Sequence, residues 1–228
     1  MKKFFAALLM LGAFNSYAGI QVDATRVIYK GDDKSASLPI HNDASEAYMV
    51  QTWLDTGDRN QVPKNLPVVV VPPILKLDAA KTAVLRFIYS GNGLPQDKET
   101  LLWINVQEIP PAPKQENVLQ VAVRTRIKLF YRPVALKTTL DEQVQNLRWQ
   151  REGSRLQVIN DGPLHITFGA LHLKNSAGKT VDVDANMVSP KDRLSINIPA
   201  GVSVGNKIAF SYINDFGGRT EVKDVPVQ

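Results

Sequence analysis

The chain has 228 residues, 44% of them hydrophobic, and a formal net charge of +5 from 27 Lys+Arg against 22 Asp+Glu. That length supports one or two packed domains, and so mild a basicity does not by itself imply nucleic acid. There is no cysteine, so the core alone, without disulfides, must hold the fold.

The first eighteen residues read as a secretory leader. Lys2 and Lys3 precede an apolar run from Phe4 to Ala13, and Ser16 and Ala18 are the small residues of a cleavage site. The run is too short to span a bilayer, which takes about 20 residues. Cleavage before Gly19 leaves an exported chain of net charge +3, since two lysines leave with the leader. The absence of cysteine fits a periplasmic location.

Strand-like runs follow in chain order. Ile20–Tyr29 (IQVDATRVIY) reads as the first strand, followed by SASLPIHN and YMVQTWLD. TGDRNQVPKN is a turn-rich connector. LPVVVVPPILKL is apolar and broken at Pro72-Pro73, and the bond before Pro72 is a candidate cis peptide. KTAVLRFIY, the loop SGNGLPQDKE, the strand TLLWINVQEI and the proline-rich connector PPAPKQEN come next. A further strand, LQVAVRTRIKLFYRP, runs from Leu119 to Pro133. Short strands at this spacing predict an all-β fold, with an immunoglobulin-like sandwich over residues 19–136. A polar linker over 137–146, helix-like near TLDEQVQNLRW, leads to a smaller β-domain over 147–228.

Catalytic chemistry finds little support. His41, His165 and His172 show no metal-ligand spacing. No nucleophile elbow, phosphate loop or dinucleotide fingerprint is present. Asp182 and Asp184 share one face of a strand and read as a solvated face. The sequence therefore predicts neither an enzyme nor a cofactor. The informative stretch is the strand from Leu119, where Arg124, Arg126 and Lys128 fall on one face. Such cations can protect a sheet edge from aggregation, and without interleaved aromatics they do not form a base-stacking platform. Leu119, Val121 and Val123 alternate on the opposite face, as in a strand that can be lent to another chain.

Three stretches carry a resemblance to the periplasmic pilus chaperones of the chaperone–usher pathway. They are LPQDKETLLWINVQEIP (Leu94–Pro110), VLQVAVRTRIKLFYRP and SYINDFGGR (Ser211–Arg219). Chaperone–pilin donor-strand complementation is itself a standard instance of strand addition. The resemblance implies two immunoglobulin-like domains in a boomerang-like or L-shaped pair, with pilin subunits and an outer-membrane usher as partners. It implies that Arg26 and Lys128 grip a pilin C-terminal carboxylate, and that Leu119, Val121 and Val123 are the donated side chains. It further implies that Glu99, Arg132 and Asp215 form a charged network between the domains. Arg124 and Arg126 are then surface cations facing usher or pilin. The short segment from Pro110 to Asn117 resembles the short-loop branch. Lys128 has the opposite parity to the donated residues, so a bulge or strong twist is expected between Val123 and Lys128. An exposed donor strand also invites self-dimerisation. The alternative is a secreted immunoglobulin-like adhesion or receptor-binding module, recognising its target through loops at one end of a sandwich.

Overall fold

The structure, a computed structural model, describes residues 19–113 and 117–228; the leader read over residues 1–18 lies outside them. Ile20–Val22 (β1) and Arg26–Lys30 (β2) begin the first domain. Ile20–Tyr29 is thus two strands, not the single strand expected. The buried parity changes between them, from Ile20 to Val27 and Tyr29, because the chain crosses from one sheet to the other at Asp23–Thr25. Ala36–Asn42 (β3), Tyr48–Asp55 (β4), Val68–Val71 (β5), Ile74–Leu77 (β6), Thr82–Tyr89 (β7), Thr100–Ile109 (β8) and Arg124–Arg132 (β9) complete the domain. The order β1-β3-β7-β5 forms one sheet and β2-β9-β8-β4-β6 the other. A second crossing separates β5 from β6 at Val71-Pro72-Pro73, where the Val71-Pro72 bond is cis.

Alternating side chains from both sheets meet in one core, with Leu38, Ile40, Leu85, Phe87, Ile104 and Leu129 fully buried. Each such side chain contributes about 1.5–3 kcal/mol by leaving water.

The second domain begins with Leu140–Gln145 (α1), inside the stretch read as a linker. Thr139 and Glu142 form a reciprocal capping box there, which favours a helix over extended chain. Leu140 and Val144 of α1 join the second core. Arg148–Glu152 (β10), Arg155–Asn160 (β11), Ile166–Asn175 (β12), Thr180–Val183 (β13), Met187–Val188 (β14), Asp192–Asn197 (β15), Val202–Ser203 (β16), Lys207–Ile213 (β17) and Arg219–Pro226 (β18) follow. β10-β11-β15 packs against a sheet built on β13-β12-β17-β18, and Trp149, Phe168 and Phe210 stack between them. Among the described residues no helix is long and apolar enough to cross a membrane.

Candidate functional site: a cation pair below an unpaired strand segment

β9 has two unlike faces. Ile127, Leu129 and Tyr131 point into the first core, whereas Lys128 and Arg132 reach second-domain residues on the other side. Its pairing with β8 runs in unbroken register from Thr100↔Tyr131 to Gln107↔Arg124. The bulge expected before Lys128 is therefore absent over Arg124–Lys128, and none is required. Within β9, Lys128 and the odd-numbered apolar residues Ile127 and Leu129 lie on opposite faces and meet different groups.

Arg26 and Lys128 are direct neighbours, paired across the parallel β2–β9 ladder. Both are partly buried, and neither forms an ion pair among the described residues. Lys128 Nζ donates to Thr167 Oγ1 at 3.3 Å and lies 5.6 Å from the Trp103 ring centroid. Arg26 Nη1 donates to the Ile213 carbonyl at 3.0 Å, and its buried Nε has no acceptor. Desolvation, then repulsion from Arg26, pushes the Lys128 ammonium down to about 8. Desolvation likewise lowers Arg26, against the opposing pull of Asp215 and Glu99. Two half-buried cations are thus held side by side without a paired carboxylate, an arrangement whose charge is left unbalanced among the described residues.

The third cation of this row has a different fate. Arg126 was expected as a surface cation facing usher or pilin; instead it pairs with the buried Asp55 at 2.5 Å and lies 4.0 Å from the centroid of Trp103. Burial works against the Asp55 charge, but hydrogen bonds from Arg126, Asn105 and the Gly57 backbone hold its carboxyl below the usual range. Arg126 is thus committed to the fold. Arg124 lies 5.8 Å from the centroid of Trp53 and remains exposed.

Glu99, Arg132 and Asp215 come together between the domains. Arg132 Nε donates to Glu99 Oε1 at 3.0 Å, and its two terminal nitrogens grip Asp215 at 2.7 and 3.0 Å. The planar guanidinium fork suits this geometry. Glu99 is only 3% exposed. Its other oxygen accepts from the His165 backbone N–H at 2.9 Å and lies 2.9 Å from His165 Nδ1. Sequence reasoning missed His165, Thr167 and Asp55. His165 precedes β12 without metal-like spacing, and nothing local marks any of the three as a partner of a residue so distant in the chain.

The segment before β9 differs from expectation. No strand is assigned over 118–123; the strand read from Leu119 begins at Arg124. The β8 partner stops at Ile109 because Pro110 and Pro111 have no N–H to extend the ladder. Among the described residues the Glu108 N–H still reaches across to the Val123 carbonyl at 3.0 Å, and the Gln120 side-chain amide donates to the Pro111 carbonyl at 2.6 Å. Leu119, Val121 and Val123 are 88%, 63% and 51% exposed. β2 starts opposite Lys128, so among the described residues Arg124–Ile127 has a strand neighbour on the β8 side only. A free edge therefore runs down to the Arg26–Lys128 pair.

Residues 19–137 match the N-terminal domain of the PapD pili and flagellar-assembly chaperones, and residues 142–223 match the PapD C-terminal domain. The probable fimbrial chaperone LpfB of Escherichia coli O157:H7 is 40% identical over 229 residues, covering 97% of this chain and 96% of the relative. The chaperone FimC of Escherichia coli K12 is 34% identical over 218 residues, covering 93% and 86%. The crystal structure of the YadV chaperone superposes with a TM-score of 0.77 at 35% identity, over 90% of this chain and 100% of that one. A Salmonella enterica complex of the SafA pilin with the SafB chaperone gives 0.78 at 28% identity, over 93% and 98%.

Proposed function

The chain belongs to the PapD-type pili-assembly chaperones, and from that premise we propose that it captures pilin subunits in the periplasm. It does so by lending the segment before β9 as a strand and by gripping the subunit's C-terminal carboxylate with Arg26 and Lys128. The observation that carries this reading is the register of Arg26 with Lys128 where the free edge of β9 ends.

The geometry supports the direction of pairing. An incoming strand on that edge occupies the same lane as β2, which runs parallel to β9. If its carboxylate meets Arg26 and Lys128, it too runs parallel to β9. Backbone pairing alone does not define register, and a one-residue slip would turn every side chain to the wrong face. Anchoring the terminal carboxylate fixes it. Each charge-assisted hydrogen bond to that group contributes about 1.5–3 kcal/mol. Leu119, Val121 and Val123 have the parity of Ile127 and Leu129, so in a regular continuation they extend the core-facing row into the subunit. Exchange of this strand for one from another subunit, at an outer-membrane usher, releases the pilin without nucleotide or cofactor. The adhesion-module alternative is not favoured by the family matches.

Co-expression with a cognate pilin and recovery from periplasmic extracts tests the reading. The wild type should co-purify with the subunit, and Arg26→Ala and Lys128→Ala should lose it while remaining folded. Undiminished recovery with both variants would remove the carboxylate grip.

A further inference from the structure

The interior row of β8 runs Leu102, Ile104, Val106 and then Glu108. The first three belong to the core. Glu108 occupies the next inward position and is 7% exposed. A carboxylate so placed needs hydrogen-bond donors and a counter-charge. One donor is present: the Ile20 backbone N–H reaches Glu108 Oε2 at 2.7 Å. Among the described residues no lysine, arginine or histidine side chain pairs with it.

Gly19 lies against the same group. A methyl group on its α-carbon would collide with the Glu108 carboxylate, which places the first residue after the expected cleavage point beside that group. The Gly19 carbonyl accepts from the Asp43 N–H at 3.0 Å, which holds the residue there. The Asp43 carboxylate is itself engaged, with His41 Nε2 at 3.1 Å. In a precursor the Gly19 nitrogen is an uncharged amide. Hydrolysis of the Ala18–Gly19 bond consumes one water and leaves a carboxylate on Ala18 and an α-ammonium on Gly19.

We propose that this α-ammonium is the missing counter-ion of Glu108: leader removal creates a charged terminus that docks in a carboxylate socket at the end of the first core. The socket joins the two sheets, since β1 pairs with β3 while Glu108 belongs to β8. It also explains a glycine at position 19, where any side chain would fill the space the carboxylate occupies. Glu108 N–H is the group that holds the Val123 carbonyl, so the processed terminus braces the root of the segment before β9. The inference rests on cleavage before Gly19 and not on the pilin-binding reading.

The test uses exported, processed protein labelled with 15N-glycine. Mass spectrometry should give Gly19 as the first residue, and another terminus would overturn the proposal. NMR titration should place the Gly19 α-amino group about one unit or more above its ordinary range of about 7.7–8.0, at least tenfold tighter for the proton. Glu108→Gln keeps the shape and should return the group to that range. An ordinary value in the wild type, or an unchanged value in Glu108→Gln, would overturn it. A second measurement pairs Glu108→Gln with a chain that retains Ala18. The two losses of unfolding midpoint should be non-additive, and strict additivity would contradict the ion pair.

Discussion

Lys128 is charged at a cost, and that cost makes it testable. Its folded value of about 8 lies below its unfolded value of about 10.5 because burial, then Arg26, disfavours the ammonium. The sign follows from linkage: the penalty is fully present below about 8 and fades as pH rises toward 10.5. Lys128→Met should therefore raise the urea unfolding midpoint at pH 7, with a smaller gain at pH 9.5; a lower midpoint at pH 7 would mean Lys128 stabilises the fold. The same protonation governs binding. Affinity for a carboxylate ligand should fall as pH rises above about 8, with protons taken up on binding in that range, measurable by calorimetry in buffers of different ionisation enthalpy. At this scale the residue types were legible, but their states were not. Local spacing alone places Arg124, Arg126 and Lys128 alike on one face. Asp55 neutralises Arg126, whereas among the described residues Lys128 meets a hydroxyl and an aromatic ring and no carboxylate. That difference depends on β4 and β12, which local spacing cannot register.

β9 shows both the reach and the limit of periodicity. Ile127, Leu129 and Tyr131 alternate with the cationic row that the sequence singles out, and they form the buried face of the strand. The shift of parity between Ile20 and Val27 was also in the sequence, and it marks the sheet crossing that makes Ile20–Tyr29 two strands. The start of β9 was not readable. Alternation over Leu119–Val123 records a side-chain pattern, whereas a strand also needs a neighbour to satisfy its N–H and C=O groups. Here Pro110 and Pro111 remove that neighbour. On the proposed function, these exposed side chains are the ones lent to a partner outside the chain. Val121→Glu should leave the unfolding free energy from urea titration within about 0.5 kcal/mol of wild type, as for other exposed substitutions, because Val121 is 63% exposed. It should nevertheless weaken pilin capture strongly by carrying a charge into an apolar groove. Loss of stability and capture together would indicate an internal structural role instead.

The two domains meet through specific contacts that surround the Arg26–Lys128 pair. Arg132 ties Glu99 of the first domain to Asp215 of the second. Gly217, at φ +83°, sits so close to Thr25 that an added methyl would strike its hydroxyl. Arg26 meanwhile reaches the Ile213 carbonyl. A buried charge network does not by itself stabilise a fold, so its effect should appear in interdomain geometry. Arg132→Ala should change the small-angle scattering profile while each domain stays folded, and an unchanged profile would assign the network no orienting role. The Glu99–Arg132–Asp215 set was legible through resemblance, because residues so far apart in the chain carry no joint local signal; His165, which shares Glu99, was not. The central claim is that Arg26 and Lys128 hold a chain terminus. The most direct measurement is calorimetric titration with a peptide copying a pilin's C-terminal strand, once as the free acid and once amidated. The account predicts binding of the acid that is lost on amidation and lost again in Lys128→Ala. Equal affinity for acid and amide would contradict it.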